Sequence, residues 1–328
     1  MVFLPHCLTT ISYSGIDMTA RQHRATRDFS ANDAIHSQTK PATHQAIKNS
    51  AMNHANNKRI TMALFAALLS APVLAQGLQI HEENYFLPAY HESKVNQDRF
   101  APMNPNGHEA KSTLIQFQLS LKYQLLSLNW NPLAQALNPQ ALNQQVHEQQ
   151  PQDGIYVAYT QRSNWEAYDD SAYFRDHQYN PEIFYRIHGK PWQLTFGFEH
   201  DSNGAGGTEE VSWNRLYIDA KWQQPWGFIR FRPWMRVGDL PYNPNISDFL
   251  GYGEMEIQWQ PTAQQSLQFQ VANFFTDDWN KGFYRISWNF PLVQELRGYI
   301  KAETGYGLTI SNYNFRDSAI GLGFAFGL

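Results

Sequence analysis

Residues 228–237 read FIRFRPWMRV, and apolar and charged side chains alternate along this stretch. One face carries Ile229, Phe231 and Met235. The other face carries Arg230, Arg232, Trp234 and Arg236. A period of two rather than 3.6 predicts a β-strand with one apolar and one polar face.

The next segment with this alternation carries Glu254 and Glu256 on its polar face, so the charged faces of the two segments complement each other. A membrane barrel encloses such a polar network and turns the apolar faces to lipid. We therefore predict an all-β fold, a twelve-stranded antiparallel transmembrane β-barrel, whose lumen is filled by arginines 230, 232 and 236 bridging these two glutamates. A soluble β-sandwich is the alternative.

The alternation recurs in twelve segments, which are 83–92, 112–127, 154–163, 179–188, 192–202, 212–223, 227–237, 250–260, 265–275, 281–290, 295–306 and 317–327. Tight turns at 188–191, 224–225 and 291–293 predict the periplasmic side, and longer loops at 93–111, 164–178, 203–211 and 238–249 predict the exterior. Residues 128–153 break this rule, because a long Asn-, Gln- and Pro-rich segment stands where a short turn is expected, and we assign it no role.

The N-terminus contains a predicted signal peptide. Lys58 and Arg59 precede an apolar run, 60–74, of 15 residues that ends in VLA at 73–75. Such a run is short of the roughly 20 residues of a spanning helix but typical of a secretory signal. We predict a signal peptide at 52–75 and the barrel at 76–328. Residues 1–51 are interpreted as an over-extended gene start, with a cytoplasmic or pro-segment as the alternative.

Composition excludes several classes of protein. The net charge of −4 is too small to indicate a nucleic-acid partner. The only cysteine, Cys7, precedes the predicted signal, so the mature chain would hold no disulfide, thiol nucleophile or cysteine zinc site. Aromatic residues make up 15% of the chain, in keeping with the aromatic girdles of membrane barrels.

One predicted hairpin carries candidate catalytic residues. His200 and Ser202 share the apolar face of segment 192–202, and Asn214 lies on the same face of the next segment. Ser, His and a carboxamide form a workable acyl-transfer group, and the loop between them, NGAGGTEE at 203–210, offers backbone amides and the oxygen ligands that Ca²⁺ prefers. On these residues alone, a structural histidine and a flexible, solvated loop remain alternatives.

HDSNG at 200–204, followed by SWNRLY at 212–217, resembles the outer membrane phospholipase A family. Further matching stretches are YTQRS at 159–163, NPNI at 243–246, GY at 251–252, GYG at 305–307 and YNF at 313–315. The resemblance covers about residues 80–328. It implies a calcium-dependent hydrolase of the bacterial outer membrane, with phospholipid substrates, phospholipase A1, A2 and lysophospholipase activities, and control by reversible homodimerisation.

The resemblance also implies roles for individual residues. Ser202 would be the nucleophile, His200 the general base, and Asn214 the residue that orients the imidazole. The backbone N–H of Gly204 would lie in the oxyanion hole, and Gln161 at the dimer interface.

The implied calcium ligands are the Ala205 carbonyl, the Glu210 side chain and Ser171 of the partner subunit. The chain departs from the family here, because Glu210 stands where a serine is usual and Ala205 replaces an arginine. A carboxylate should bind Ca²⁺ at least as well, but the sequence does not decide between Glu209 and Glu210.

Two other functions are compatible with a barrel. A non-enzymatic pore or structural protein would need no catalytic group, although the predicted charge pairs argue against an open channel. Another lipid-modifying barrel, such as a lipopolysaccharide deacylase or a palmitoyl transferase, would form different products.

Overall fold

The computed structural model describes residues 77–128, 153–238, 242–276, 280–293 and 296–326. The predicted N-terminal extension and signal peptide lie outside these residues, as does nearly all of 128–153. Within the described ranges, helices are too short or too polar to cross a membrane.

The described residues form thirteen strands that all pair antiparallel. The strands are β1 (Leu78–Ile80), β2 (Asn84–Glu92), β3 (Thr113–Ser127), β4 (Gly154–Glu166), β5 (Tyr173–His188), β6 (Trp192–Ser202), β7 (Ser212–Gln224), β8 (Gly227–Val237), β9 (Gly253–Thr262), β10 (Gln265–Ala272), β11 (Phe283–Val293), β12 (Leu296–Tyr306) and β13 (Arg316–Phe326). Two short helices, α1 (Gln97–Phe100) and α2 (Ile246–Leu250), lie in loops.

Pairing of β13 with β2 closes the sheet, so β2 to β13 form a twelve-stranded barrel and the prediction of this fold is confirmed. β1 was not predicted. It has only three residues and pairs with β3 beyond the end of β2, so it extends an existing strand position instead of adding one.

Several strand ends differ from the prediction for local reasons. β4 continues to Glu166 and β5 begins at Tyr173, because these two residues pair with each other and the hairpin extends into the predicted loop 164–178. The strand predicted to start at 250 starts at Gly253, because residues just before it form α2. The strand predicted to reach 275 ends at Ala272, because Asn273 and Phe275 adopt positive φ values of 86° and 63°.

The lumen holds a network of ion pairs, but not the one predicted. Arg230 does pair with Glu256, at 3.2 Å, and with two further carboxylates. Arg232 instead contacts Glu199, at 2.7 Å, although Glu254 lies directly opposite it in the register. Arg236 donates to the Pro244 carbonyl at 2.7 Å.

The bridging predicted for Arg232 and Arg236 is therefore wrong. The physical reason is burial: Glu199 is 1% exposed and is paired with both Arg215 and Arg232, whereas Glu254 is only half-buried and accepts a hydrogen bond from Gln270. Register determines which backbones are opposite, but a long guanidinium side chain can reach a more deeply buried carboxylate two strands away.

The segment between β1 and β2 crosses the lumen and bonds to three parts of the wall. His81 Nε2 lies 2.5 Å from a carboxylate oxygen of Glu182 on β5. Glu82 pairs with Arg230 on β8, and Tyr299 on β12 donates to Glu83. A polar cavity of about 190 Å³ remains, so polar side chains occupy much of the lumen, as membrane barrels of this size require.

Arg175 provides a test of the buried ion pairs. Its side chain is 0% exposed and contacts Glu92 at 2.6 Å and Glu166 at 3.1 Å. Arg175→Met leaves two buried carboxylates without a cation, so we expect the free energy of unfolding to fall by about 3–5 kcal/mol. Urea unfolding in detergent micelles measures this value. Lys190→Met, at an exposed turn, is the control and should change it by less than about 0.5 kcal/mol; equal effects of the two changes would contradict the expectation.

Candidate active site

The pairing of β6 with β7 places the predicted catalytic residues on the outer wall. His200 lies opposite Asn214, and Ser202 lies opposite Ser212. Along the same face follow exposed apolar side chains, Phe196, Phe198, Leu216 and Ile218. The residues between them, among them Glu199 and Asp201, are buried and point into the lumen.

A hydrogen bond joins the imidazole to the carboxamide. His200 Nδ1 lies 2.8 Å from Asn214 Oδ1. A carboxamide oxygen only accepts hydrogen bonds, so the proton resides on Nδ1 and the lone pair on Nε2. The arrangement can therefore supply a ring nitrogen that accepts a proton, with its tautomer fixed by Asn214.

Ser202 is half-buried and lies two residues beyond His200 on the same face, about 7 Å away along the strand. Its hydroxyl makes no hydrogen bond to any of the described residues, so it is free to approach either the imidazole or a substrate. Tyr179 on β5 lies directly opposite Ser202 in the register.

Gly204 follows the serine in a conformation that favours glycine. Its φ is +68°, and a Cβ there would lie 2.5 Å from Cε2 of Tyr179. Just before it, the backbone N–H of Asn203 donates to the Val211 carbonyl at 3.0 Å and closes the loop at its base. The loop thus turns sharply beside Ser202 and carries backbone N–H groups next to it.

The two loop glutamates have different partners. Arg99 of α1 donates to the Glu209 carbonyl at 2.9 Å, and its guanidinium lies 3.7 Å from the Glu209 carboxylate. Within the described part of the chain, the Glu210 carboxylate accepts its one hydrogen bond from the Ser212 hydroxyl, at 2.9 Å. The half-buried Ala205 and Glu210 thus offer a carbonyl and a carboxylate oxygen from one loop.

Ser171 lies in the separate loop between β4 and β5, and in the described part of this chain it makes no hydrogen bond to loop 203–211. Its backbone N–H donates to Asp169 at 3.3 Å. Although burial opposes ionisation, this bond and those from the Asn104 and Asn106 side-chain amides lower the pKa of Asp169. Ser171 is therefore held by an ionised, hydrogen-bonded carboxylate.

Comparison with known proteins identifies the family. The family model of phospholipase A1 matches residues 73–326. The chain belongs to the phospholipase A1 family.

Individual members of this family and a solved structure agree. The chain is 27% identical over 305 residues to a phospholipase A1 of Klebsiella pneumoniae, covering 81% of this chain and 97% of that one. It is 33% identical over 189 residues to a putative phospholipase A1 of Neisseria meningitidis, spanning 52% of this chain and about half (48%) of that one. The fold matches the crystal structure of the Salmonella typhi outer membrane phospholipase dimer with bound calcium, with a TM-score of 0.64, 23% identity, and coverage of 76% of this chain and 91% of that one.

The predicted family, the barrel fold, the enzyme class of ester hydrolase and the bacterial outer-membrane location are therefore confirmed. The roles of individual residues stay predictions.

Gln161 belongs to a polar chain on the outer wall of this phospholipase A1 family member. Tyr159 donates to Gln161 at 3.0 Å, and Gln161 donates to Ser163 at 3.1 Å. Ser163 in turn lies 2.9 Å from Nδ1 of His177. His177 was not predicted, because it falls in segment 164–178, which was predicted to be a loop.

Two buried asparagines beside the site were also missed. Asn243 exchanges two hydrogen bonds with the Ser212 backbone, at 2.7 and 3.1 Å, and so fixes the start of β7. Asn203 is bonded within the loop. In the sequence, Asn203 and Asn243 were indicated only by lying in stretches that resemble the family, 200–204 and 243–246. Alternation gives no information on loop side chains.

Replacement of Asn214 tests the geometry of the imidazole. Asn214→Ala removes one hydrogen bond to a ring that becomes charged during proton transfer, which costs roughly 1.5–3 kcal/mol. We expect kcat for a short-chain ester to fall about 10–100-fold while the barrel stays folded. Ile218→Ala, on the same face of β7, is the control and should keep kcat within about twofold. Equal kcat values for Asn214→Ala and the control would argue against an orienting role.

Proposed function

We propose that this outer-membrane phospholipase hydrolyses phospholipid acyl esters with Ser202 as nucleophile, His200 as general base and Asn214 as orienting residue. The observation that carries the proposal is the 2.8 Å hydrogen bond between His200 Nδ1 and Asn214 Oδ1 on the outer wall. Ser202 follows His200 two residues later on the same face, and among the described residues its hydroxyl has no hydrogen-bond partner. An ester in the outer leaflet can reach this group from the side without entering the lumen.

The residues act in a two-step acyl transfer. The Ser202 hydroxyl oxygen attacks the ester carbonyl carbon while Nε2 of His200 takes its proton. Collapse of the tetrahedral intermediate breaks the bond to the glycerol oxygen, which leaves with the proton from the imidazolium. Water then attacks the acyl-serine carbonyl carbon and gives a proton to His200. Collapse of this second intermediate breaks the bond to Ser202 Oγ, which takes the proton back from the imidazolium, and the fatty acid is released.

The loop after Ser202 supplies electrostatic stabilisation. Gly204 lies in the turn two residues after Ser202, with a φ of 68°, and its N–H would donate to the negative oxygen of the intermediate. Because Asn214 is neutral, the imidazolium gains less stabilisation than from a carboxylate, and the loop must contribute more.

The chemistry of the loop fits Ca²⁺. The Ala205 carbonyl and the Glu210 carboxylate are hard oxygen donors. Among the described residues no arginine bonds to either of them, whereas Arg99 pairs with Glu209. We therefore assign Glu210, not Glu209, as the ligand, with Ser171 of the partner subunit completing the set. When bound, the cation would stabilise the negative charge on the carbonyl oxygen.

The apolar wall beside the site suits an acyl chain. A groove of about 470 Å³ is lined almost entirely by apolar side chains of β4 to β7. Phe198 and Phe196 lie in it, on the face that leads from His200 towards the other end of β6. A chain attached to an ester at Ser202 can lie along this groove and exchange lipid contacts for protein contacts.

We further propose that activity requires a reversible homodimer. The proposed ligand Ser171 makes no hydrogen bond to loop 203–211 of its own chain in the described residues, and the related Salmonella typhi protein forms a dimer with bound calcium. Gln161 offers polar groups at membrane depth, where a second copy can satisfy them. Pairing of two chains would bring together Ser171 of one and loop 203–211 of the other.

Replacement of the nucleophile tests the reaction. Ser202→Ala removes the group that attacks the ester, so we expect release of labelled fatty acid from phospholipid vesicles to fall by at least about 10³-fold. Ser318→Ala, an exposed serine on β13, is the matched control and should retain full activity.

Folding of both variants is checked by heat-modifiable migration on gels. Fatty-acid release by a folded Ser202→Ala variant at the wild-type rate would refute the assignment. Transfer of the acyl group to a lipid acceptor without free fatty acid would favour a transferase instead.

Calcium dependence distinguishes the two glutamates. Glu210→Gln removes the proposed carboxylate ligand, so we expect the half-activating calcium concentration to rise about 10–100-fold. Glu209→Gln removes only a contact with Arg99 and should shift it by less than about threefold. A larger shift for Glu209→Gln than for Glu210→Gln, in activity and in calorimetric calcium binding, would reverse the assignment.

A further inference from the structure

Asn203 directly follows Ser202 and begins loop 203–211, called the calcium loop below because it carries the proposed ligands Ala205 and Glu210. Its carboxamide uses its full hydrogen-bonding capacity. It is 9% exposed. Its Oδ1 accepts from the Ala205 and Val211 backbone N–H groups, both at 3.1 Å. Its Nδ2 donates to the Glu209 carbonyl at 2.8 Å and to the Ser311 hydroxyl at 3.1 Å. Two donors and two acceptor sites are all that a carboxamide has.

These bonds connect parts of the chain that local turn geometry does not bring together. A bond from an Asn side chain to the N–H two residues later is a common turn. The bonds to Glu209 and Val211 instead span six and eight residues and join the start of the loop to its end. The bond to Ser311 spans 108 residues and reaches the loop between β12 and β13.

The contact with Ser311 continues to a third element. The Ser311 hydroxyl donates to Asp176 Oδ1 of β5 at 2.6 Å, and Ser311 and Asp176 are 3% and 7% exposed. Because Ser311 gives its only proton to Asp176, it accepts from Asn203, and the three side chains form one directed chain. The conformation of the calcium loop is thus coupled to β5 and to the β12–β13 loop.

We propose that Asn203 is a positioning residue for the reaction: its carboxamide holds loop 204–210 in the shape in which the Gly204 N–H, the Ala205 carbonyl and the Glu210 carboxylate face the same side as Ser202. Ser311 and Asp176 fix the orientation of that carboxamide. The inference rests on the proposed calcium-dependent hydrolysis and extends it to residues that touch neither substrate nor cation.

The geometry explains why the loop can be rich in glycine and still be ordered. Residues 203–210 include three glycines, which have high conformational entropy in the absence of restraint. Asn203 restrains both ends of this stretch and one carbonyl within it. Loss of these hydrogen bonds should therefore make the loop that carries the proposed ligands more flexible in the calcium-free protein. Part of the calcium binding energy would then be used to order the loop.

The test uses hydrogen–deuterium exchange on the calcium-free protein together with calcium titrations. In Asn203→Ala, the Ala205 and Val211 amides lose their acceptor, and we expect amide exchange in 204–211 to be at least about tenfold faster, with exchange in β9 to β11 unchanged. The half-activating calcium concentration should rise about 10–100-fold, and calorimetric calcium binding should weaken by the same factor. At saturating calcium, we expect the loss in kcat relative to the wild type to be smaller than the loss in calcium affinity.

Two more variants separate positioning from general stability. Asn289→Ala removes a buried asparagine of the lumen on β11, far along the chain from the loop, and should change neither loop exchange nor calcium affinity. Asn203→Asp keeps the two acceptor bonds but loses both donors. Its Ala205 and Val211 amides should therefore stay protected while calcium binding still weakens.

Unchanged loop exchange and calcium affinity in a folded Asn203→Ala variant overturn the inference. If that variant does not fold, Ser311→Ala is used instead, because it removes only one bond to Asn203. It should raise the half-activating calcium concentration at least threefold, and no shift refutes the proposal.

Ser202→Ala separates the two proposals. If this variant stays active, the proposed catalytic group is wrong. If it is inactive while Asn203→Ala behaves as wild type, only the positioning role of Asn203 is wrong.

Discussion

The register of β6 against β7 is the constraint on which the site depends. Side chains alternate between lipid and lumen, so a slip of β6 by one residue would turn His200 and Ser202 to the interior and separate them from Asn214 on β7. The buried partners of the intervening residues oppose such a shift. Glu199 pairs with Arg232 and Arg215, and a slip would turn this carboxylate towards lipid without a cation. The ion pairs of the lumen thus stabilise the placement of the groups outside it.

The same constraint accounts for a neutral third residue beside the histidine. A carboxylate stands next in sequence, at Asp201, but it points inwards and accepts hydrogen bonds from Gln178 and Trp213. On the lipid-facing side a charge without solvent would cost several kcal/mol, whereas a carboxamide can orient the imidazole without that cost. The lumen holds the charges and the outer wall holds polar but neutral groups. Electrostatic stabilisation of the reaction must then come from the loop above the membrane.

The sequence predicted the barrel because alternation is a local property that a closed sheet imposes on every strand. It also predicted which face carries His200 and Asn214, since one period decides this for a whole strand. It failed for Arg232, because the choice between Glu254 and Glu199 depends on burial across three strands. It missed Asn203, whose bond to Ser311 spans 108 residues and follows no periodicity. Alternation along a strand thus predicts which face each side chain occupies. The hydrogen-bond and ion-pair partners of long side chains and of loop side chains can be identified only in the folded structure.

A site on the outer wall raises the question of how the enzyme is kept from degrading its own membrane. Ser202, His200 and Asn214 lie half-buried on the outer wall, so their geometry alone gives no control. The other groups of the proposed site are divided between two loops: loop 203–211 carries the proposed oxyanion donor and two proposed oxygen ligands, and Ser171 is held elsewhere by Asp169. Each loop is fixed by its own buried hydrogen bonds, so neither can readily move to the other within one chain. With the proposed dimer, association of two rigid chains would be a simpler switch than rearrangement of one, and it would respond to how freely barrels meet in the membrane.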